Sequence, residues 1–516
     1  MSAIVTDRYR TLQARFAYNA LLNGEDNYYI GIGRANAWLN EALPDTPTVS
    51  LTDTLEARHA LQSIKKIANY VPCVPRYTWT SGTTYIEYDD DDADIATKQY
   101  YVFNSSNNAV YICLKAGAGA STTEPTATTT GVPTAGADGY IWKYLYTVDA
   151  QSTVRYLTTE YIPVLRDASV AAAAVQGAIH NIKITSGGTG YSSAPTVTIE
   201  GDGSGATATA TLTSGVVTGI TITDVGSGYT YAKVSVSGGS PTTAATLRAV
   251  LAPKAIGREI AGVSVDTAGS SYTNGTSTLV ITGDGRDGAA TLTVSSGAHQ
   301  DGSDTITDAG YNYTWANVEP PETTTGTDAE LSIQFSGPKG GFGYDPVIEL
   351  NAFYLMFNLT LEGAEGSGDF FVSQDFRQIV ILKNPLDASS SEQQLFSSDT
   401  GGALPYLDVD SGGVWVVDDT IQGGSSGAQA HVVSYDSVNE RIYFSQDETT
   451  GFESFSSGES VTATGAGTST GAVASGGQTN AAEFDRYSGE ILYIENRVPV
   501  TRTSSQTEDI KLVVRY

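Results

Sequence analysis

The chain has 516 residues, enough for about three to five domains, and its 28 Lys and Arg against 57 Asp and Glu give a net charge of −29. This acidity argues against nucleic acid and anionic membrane surfaces as partners, because both are polyanions. Abundant glycine (55 residues) and 30 Tyr against 14 Phe favour short strands, tight turns and half-buried sheet surfaces over large helical cores.

Cys73 and Cys113 are the only cysteines, too few for a disulfide framework. We therefore expect two buried thiols in a reducing compartment. The first residues lack the apolar segment of a secretory signal, and no run of about 18 apolar residues occurs. The sequence thus predicts a protein that folds in a cytoplasm without a membrane span.

The first 70 residues predict two helices and one strand. A helix begins at Thr6 or Asp7, one of which is the expected N-cap, and carries Leu12 and Phe16 on one face. Residues 27–34 alternate like a strand. Residues 52–70 are predicted to form a second helix that is capped by Thr52. Its four apolar positions are Leu55, Leu61, Ile64 and Ile67. We expect these two helices to be the only ones in the chain.

Residues 71–178 predict a β-rich domain. Residues 100–103 and 109–114 flank a polar pentapeptide and indicate a hairpin. Residues 116–137 are rich in Gly, Ala, Thr and Pro and predict a long loop, and residues 140–146 predict a further strand.

Residues 179–335 contain a repeat of roughly 40 residues. Each unit runs from a strand through a glycine turn to a tyrosine, at Tyr191, Tyr229, Tyr272 and Tyr313. Gly-Asp-Gly turns recur at 201–203 and 283–285, and glycine supplies the positive φ that tight turns need. A propeller has a similar period, but small β-sandwich or β-prism modules inserted into a host domain fit better. Residues 408–477 predict a second β insert.

Candidate catalytic motifs are weak. Residues 423–427, Gly-Gly-Ser-Ser-Gly, match the letters of a nucleophile elbow around Ser425, but the only later histidine is His431, so a turn is the better interpretation. The four histidines, His59, His180, His299 and His431, do not have metal-ligand spacing.

Two acidic features have a cation-binding alternative. Asp89 to Asp92, with Asp94, form a carboxylate run that offers oxygen ligands but lacks the spacing of a calcium loop, which favours a solvated acidic loop. The Gly-Asp-Gly turns are weakly similar to calcium-binding β-roll repeats without their tandem period. Nothing marks out a carboxylate pair for glycoside hydrolysis. We therefore assign no catalytic, cofactor-binding or metal-binding residue, and no cofactor.

Eight segments together carry a family resemblance. In chain order they are AIVTDRYRT (3–11), YIGIGR (29–34) with Trp38, VYICL (110–114), DGYIWKYL (138–145), TEYI (159–162), FRQIVILKNPL (376–386), SGEILYIENRVPV (488–500) and QTEDIKL (506–512). Together they resemble the baseplate wedge subunit of T-even-type contractile-tailed phages, the gene-product-eight family. The resemblance covers residues 1–165, 345–405 and 478–516, and leaves 179–335 and 408–476 as insertions.

The resemblance implies a mainly β fold with a few helices (α+β). Its discontinuous core domain would combine residues 1–70, 336–407 and 478–516, joined by the β-rich domain 71–178 and the β-sandwich-like inserts 179–335 and 408–477. The strand in SGEILYIENRVPV would complete a sheet that the N-terminal strand begins, so its register must be well specified without a local hairpin.

The implied function is structural and not enzymatic. The protein would form a homodimer in each baseplate wedge of the virion, assembled in the host cytoplasm, and would bind other wedge subunits and, through the inserts, tail fibre proteins. Two other classes remain open from the residues alone. The repeats suit a host-surface glycan-binding adhesin or fibre-associated protein, and a virion-associated depolymerase would need a cleft of carboxylates and aromatics.

Overall fold

The computed structural model describes residues 4–24, 26–253, 258–321, 326–335, 340–362, 375–389, 393–410, 413–447, 449–465, 470–479, 483–501 and 507–516. Strand residues make up 48% and helix residues 10%, which confirms the mainly β fold. The chain divides into two compact units. Unit 1 contains Met1–Arg15, Pro72–Tyr354 and Arg515–Tyr516, and unit 2 contains Phe16–Val71 and Leu355–Val514.

The part of the chain before the first insert contains four helices and eight strands within the described residues. In chain order these are α1 (Asp7–Asn23), β1 (Tyr28–Gly33), α2 (Leu51–Ala60), β2 (Leu61–Lys66), β3 (Asn69–Pro75), β4 (Tyr101–Asn104), β5 (Ala109–Lys115), β6 (Thr134–Ala135), β7 (Ile141–Thr147), α3 (Ala150–Tyr156), β8 (Tyr161–Pro163) and α4 (Ala168–Ala172).

The first insert is built from strands alone in its described part. They are β9 (Ile179–Ser186), β10 (Thr196–Gly201), β11 (Ser204–Thr213), β12 (Val216–Ser227), β13 (Ala232–Ser237), β14 (Thr246–Leu251), β15 (Ile260–Ser270), β16 (Gly275–Thr278), β17 (Val280–Gly283), β18 (Arg286–Ser295), β19 (Ala298–His299), β20 (Thr305–Tyr311), β21 (Ala316–Glu319) and β22 (Thr327–Phe335).

The remainder adds one short helix and thirteen strands among the described residues. They are α5 (Pro346–Glu349), β23 (Tyr354–Glu362), β24 (Asp375–Lys383), β25 (Leu386–Asp387), β26 (Thr400–Gly402), β27 (Tyr406–Val409), β28 (Thr420–Gly423), β29 (Gln429–Asp436), β30 (Arg441–Ser445), β31 (Ser460–Thr464), β32 (Thr470–Thr479), β33 (Phe484–Asp485), β34 (Glu490–Thr501) and β35 (Thr507–Arg515). Gln506, the first residue of the last resembling segment, lies outside the described residues.

The prediction of a second helix over residues 52–70 was wrong in its second half. Helix α2 ends at Ala60, and Leu61 begins β2. Its N-cap is Ser50, whose side chain accepts a hydrogen bond from the backbone of Asp53, and not Thr52. Leu61 and Ile64 are buried as predicted, but pairing with β1 places them in a sheet. Tertiary pairing thus overrides the helical spacing of these apolar residues.

The prediction of only two helices was also wrong, because α3, α4 and α5 are short helices that lack a long apolar period. Asp149 and Asp167 cap α3 and α4 with their side chains. The first helix begins as predicted, since the Thr6 hydroxyl accepts from the backbone of Tyr9 at 3.2 Å. The strands and hairpin predicted around β1, β4, β5 and β7 are confirmed.

A five-stranded antiparallel sheet in unit 2 joins distant parts of the chain in the order β26-β2-β1-β24-β34. Strand β24 lies between β1 and β34, with Ile381 opposite Ile30 on one side and Tyr493 on the other. The strand in SGEILYIENRVPV therefore lies in the sheet that contains the N-terminal strand, as the resemblance implies. A Cβ atom at Gly31 of β1 would lie 2.5 Å from Leu61 Cδ1, so glycine permits close packing here.

The start of β34 is fixed by an arginine from α2. The buried Arg58 guanidinium donates to the carbonyl oxygens of Arg486 (2.8 Å), Ser488 (2.6 Å) and Gly489 (2.7 Å). Gly489 has φ +66°, and a Cβ there would lie 2.4 Å from the Lys383 carbonyl oxygen. This turn therefore needs both the glycine and the arginine, and it sets the register of β34 without a hairpin.

The two inserts differ in architecture. The four repeats of the first insert pair up into two modules, each with a shared core: β9 to β14 around Tyr191 and Tyr229, and β15 to β22 around Leu279 and Val318. The second insert was expected to be sandwich-like, but β27 to β32 form a closed six-stranded barrel. Its buried residues include Phe444, and closure leaves the barrel no free edges.

Replacing Arg58 with alanine is expected to lower the free energy of unfolding by about 2–4 kcal/mol, because three carbonyl oxygens lose a buried charged donor. Urea unfolding followed by tryptophan fluorescence measures the change. Arg10→Ala is the control, since the Arg10 side chain is 37% exposed and 3.6 Å from Asp7. Equal effects of the two substitutions would contradict the role of Arg58.

Candidate functional site

A cavity of about 490 Å³ in unit 2 is a candidate binding site, and its volume lies in the range of small-ligand pockets. Three segments line it: the residues after β1, one face of α2, and the end of β30 with the loop that follows. The lining residues are Arg34, Ala35, Asn36, Thr52, Leu55, Glu56, His59, Ala60, Ser445, Gln446, Asp447, Thr449 and Phe452.

Helix α2 presents its cavity face through helical spacing. Thr52, Leu55, Glu56 and His59 lie three, four and seven positions apart, so they share one side of the helix. The opposite side contributes Ala57 and Arg58, which are buried. The same helix therefore lines the cavity and anchors β34.

His59 is held between two aromatic rings. Its imidazole lies 4.7 Å from the Phe452 ring and 5.4 Å from the Tyr487 ring, and its Nδ1 lies 3.1 Å from the Tyr487 hydroxyl. Burial, followed by the nearby charge of Arg486, lowers the pKa of His59 below its usual value. The imidazole is therefore neutral at neutral pH, a hydrogen-bonding group without charge.

Arg34, Glu56 and Asp447 are the residues with charged side chains that line the cavity. The Arg34 guanidinium lies 3.7 Å above the Trp38 ring, and burial lowers its pKa while Glu56 and Asp447 oppose that effect. The Asp447 carboxylate accepts from the backbone of Thr449 at 2.8 Å and from the Asn36 amide.

Two buried polar atoms of lining residues have no hydrogen-bond partner among the described residues: Arg34 Nε and Ser445 Oγ. Such atoms normally find a partner, and because both are shielded from solvent they are unsatisfied within the fold and are not donors exposed to the cavity.

Exposed apolar side chains accompany the cavity. Leu55 and Phe452 line it, and Leu51 precedes Leu55 by one helical turn. Leu51 is 75% exposed, Phe452 51% and Leu55 41%. We call these three residues the apolar rim. The connection before α2 exposes three more, Leu39, Leu43 and Val49. Clustered exposed apolar side chains mark protein contact surfaces more often than isolated ones.

The Gly-Gly-Ser-Ser-Gly segment forms the turn between β28 and β29, as expected. Both hydroxyl groups donate to Glu459, Ser425 at 3.0 Å and Ser426 at 2.7 Å, and both backbone amides do the same. His431 lies at the other end of the same strand pair, opposite Thr420. Ser425 therefore belongs to a structural cap and has no histidine beside it.

The acidic run Asp89 to Asp92 is bound by basic side chains of the first insert. Lys183 Nζ lies 2.7 Å from Asp89, and Arg248 contacts Asp89 and, at 2.7 Å, Asp90. Burial would raise the pKa of Asp89, but hydrogen bonds from Lys183, the Asp91 backbone and Arg248 outweigh it and lower the pKa to about 2. The run was expected to be a solvated loop, and this part of it is instead a clamp on β9 and β14.

Asp92, further along the acidic run, makes its contacts with residues that are close to it in the sequence. Lys98 Nζ lies 2.5 Å from Asp92, and the Asp94 backbone donates to the Asp92 carboxylate at 3.1 Å. Among the described residues no group of three His, Cys, Asp or Glu side chains is placed to hold a metal ion.

The Gly-Asp-Gly turns use their carboxylates internally. Asp202 accepts from the backbone of Thr230 (2.8 Å) and Tyr231 (3.1 Å) and from the Thr230 hydroxyl. Asp284 accepts in the same way from Thr314 (2.8 Å) and Trp315 (3.0 Å). The carboxylates therefore connect two turns of each module. This is a structural use of the Gly-Asp-Gly motif.

The other three histidines and the two cysteines each have different neighbours. His180 packs 5.8 Å from Phe342, His299 4.5 Å from Tyr272, and His431 Nε2 is 3.8 Å from Asp447. Cys73 and Cys113 are free and buried, as expected, and burial raises the pKa of both thiols.

Sequence reasoning missed the cavity itself. Arg34 and Trp38 lie in a segment that carries the family resemblance, and His59 was considered only as one of four histidines. Glu56, Asp447 and Phe452 carried no signal. Their association depends on how the barrel packs within unit 2, which no local spacing encodes.

No protein-family model matches this sequence, and no curated protein matches it significantly. In the described part of the chain, none of the helices has the length and apolar character needed to cross a membrane.

Glu459→Gln is expected to lower the free energy of unfolding by about 2 kcal/mol, because a buried carboxylate with several donors becomes an amide that repels some of them. Burial would raise the pKa of Glu459, but hydrogen bonds from Ser426, Ser456 and Ser425 lower it to about 2, so the carboxylate is charged at neutral pH. Differential scanning calorimetry measures the change. Glu453→Gln, at an exposed position of the same barrel, should have little effect, and an equal effect would contradict the capping role.

The clamp at Asp89 predicts acid sensitivity. The folded pKa of about 2 lies below the ordinary value of 3.8, so its stabilisation is present above about pH 4 and is lost as pH falls from 4 towards 2. The melting temperature of the wild type should fall more steeply through this range than that of Asp89→Asn. Asp94→Asn, at an exposed position of the same segment whose side chain makes no capping hydrogen bond, should keep the wild-type slope. Parallel slopes in all three proteins would refute the clamp.

Proposed function

We propose that this protein is a structural subunit of a contractile phage tail baseplate wedge. One observation supports the proposal most strongly. Three of the resembling segments, which lie far apart in the sequence, provide the three adjacent strands β1, β24 and β34 of one sheet. Segments that share a family pattern because they build a common core should meet in space, and these do.

The proposed partners are a second copy of the chain, other wedge subunits and, for the inserts, tail fibre proteins. The proposed location is the baseplate of the virion, after assembly in the host cytoplasm. The role is mechanical. Rigid sheets hold the subunits in their arrangement before attachment, and changes in packing between subunits transmit the signal from engaged fibres to the sheath.

The cavity and the apolar rim are suited to such contacts. A partner segment that covers Leu51, Leu55 and Phe452 would remove apolar surface from water. Arg34, Glu56 and Asp447 line the same cavity and can form directed hydrogen bonds with polar groups of that segment. Apolar contact around a few directed hydrogen bonds is the usual composition of a protein interface. We propose that a second copy of this chain occupies the rim.

A non-enzymatic role agrees with how the singled-out acidic and hydroxyl groups are used. Asp89, Asp202, Asp284 and Glu459 each accept hydrogen bonds that hold turns or strands in place. We therefore assign no catalytic residue and no cofactor.

Light scattering over a range of concentrations tests the proposal. The expected mass is twice the 54.1 kDa of one chain. A trimer would favour a fibre or adhesin, and a monomer at every concentration would contradict the homodimer. The double variant Leu55→Glu, Phe452→Glu should dissociate the dimer by burying charge at the rim. Val154→Glu, at an apolar side chain 71% exposed, should not. A dimer unchanged by the double variant would exclude the rim as its contact.

A further inference from the structure

The two modules of the first insert each expose one large aromatic side chain at the same position. Tyr231 is 60% exposed and Trp315 56%. Tyr231 directly precedes β13 and Trp315 directly precedes β21. These strands pair with β10 and β17, which lead into the Gly-Asp-Gly turns, so that Gly201 lies opposite Ala232 and Gly283 opposite Ala316. The two aromatic residues are therefore structural equivalents.

The backbone at each aromatic residue is held from one side by an aspartate. Asp202 accepts from the Tyr231 backbone at 3.1 Å, and Asp284 accepts from the Trp315 backbone at 3.0 Å. The preceding residues, Thr230 and Thr314, donate to the same carboxylates through their backbone and hydroxyl groups. Three hydrogen bonds thus fix the turn that carries each aromatic ring.

A buried tyrosine fixes the same turn from the other side. The ring of Tyr229 packs so closely on Gly203 that a Cβ atom at position 203 would lie 2.5 Å from Tyr229 Cγ. In the second module a Cβ atom at position 285 would lie 2.4 Å from Tyr313 Cγ. The Tyr313 hydroxyl also accepts from the Gly288 backbone at 3.1 Å. Each exposed aromatic residue therefore sits on a rigid support and would lose little backbone entropy on binding a ligand.

Neither exposed ring has a structural use within the described residues. Their side chains make no hydrogen bond and no ring contact there, and more than half of each is in water. The modules differ at neighbouring exposed positions, where Lys233 corresponds to Asn317 and Ser235 to Glu319, yet both retain an aromatic ring. Intramolecular packing gives no reason for it.

The surface beside each ring carries hydroxyl groups. In the first module Thr196 pairs with Ser237 and Thr198 with Ser235 on β10 and β13, and all four are exposed. In the second module the pair nearest Trp315 is Thr282 opposite Asn317 and the next exposed pair is Val280 opposite Glu319, while Thr276 and Thr278 are exposed further along on β16. The charges of Glu200 and Lys233 face each other across the sheet and offset one another.

This chemistry favours a carbohydrate over a protein partner. The core of a protein interface is apolar and depleted in serine, whereas these faces are mostly polar around a single ring, with four hydroxyl groups in the first module and Thr282 beside Asn317 in the second. The apolar C–H face of a sugar ring stacks on an aromatic ring, and its hydroxyl groups exchange hydrogen bonds with Thr and Ser. The net charge of −29 disfavours a strongly anionic polymer.

We propose that Tyr231 and Trp315 are the stacking platforms of two equivalent carbohydrate-binding sites for a neutral polysaccharide. Two weak sites on one chain bind a repetitive polymer more tightly than either site alone. The activity goes beyond the proposed structural role and is independent of it, because dimer mass and polysaccharide binding are measured separately.

Affinity gel electrophoresis of the full-length protein tests the proposal with four neutral polymers: dextran, mannan, laminarin and galactomannan. The wild type should be retarded in at least one gel. Tyr231→Ala and Trp315→Ala should each weaken binding about tenfold and the double variant should abolish retardation, because each removes one stacking ring and the two sites act together. Trp315→Phe keeps an aromatic ring and should retain most of the binding.

Tyr9→Ala is the matched control, since Tyr9 is 55% exposed on α1 and should leave binding unchanged. Thermal unfolding confirms that each variant remains folded. Three results would overturn the proposal: no retardation of the wild type in any of the four gels, unchanged retardation of the double variant, or an equal loss in Tyr9→Ala.

Discussion

The placement of β24 between β1 and β34 is the constraint on which unit 2 depends. Neither neighbour is connected to β24 by a hairpin, so the pairing has to be specified by contacts rather than by a turn. Gly31 lets the sheet side chains Leu61 and Val380 pack against β1, and the turn at Gly489 starts β34 under the three hydrogen bonds of Arg58. Once these are in place, long segments can be inserted between the strands at small cost, because loop-closure entropy rises only slowly with length.

The acidic composition is used locally as well as at the surface. Asp149 and Asp167 cap helices, Asp202 joins two turns, and Glu459 holds a serine turn. A carboxylate accepts several hydrogen bonds at once and needs little space. In a chain with many glycine turns, it therefore satisfies backbone amides that would otherwise be left without a partner. This use explains why acidic runs that suggest cation sites in the sequence become structural supports.

Two surfaces of the protein offer different chemistry to partners. The cavity in unit 2 combines the exposed apolar side chains of its rim with the charged residues Arg34, Glu56 and Asp447, which suits a protein partner. The faces of the insert modules combine hydroxyl groups with one rigid ring each, which suits a sugar polymer. The difference follows from the scaffold. Helix α2 exposes Leu51 and Leu55 one turn apart, whereas the first module alternates small apolar residues inward with Thr and Ser outward, as strands with one solvated face do.

The sequence by itself determined the mainly β fold, the hairpin of β4 and β5, the start of α1 and the turn character of residues 423–427, because each depends on alternation, capping or glycine within a short window. It also located the strand at 488–500 that completes the sheet. Only the tertiary structure decided that residues 61–66 form a strand, that the second insert closes into a barrel, and that Asp89 binds Lys183 and Arg248. It alone brought Arg34, His59 and Asp447 together. These features depend on contacts between residues distant in the chain, and the free energy of such contacts exceeds the small local preferences that a sequence pattern reports.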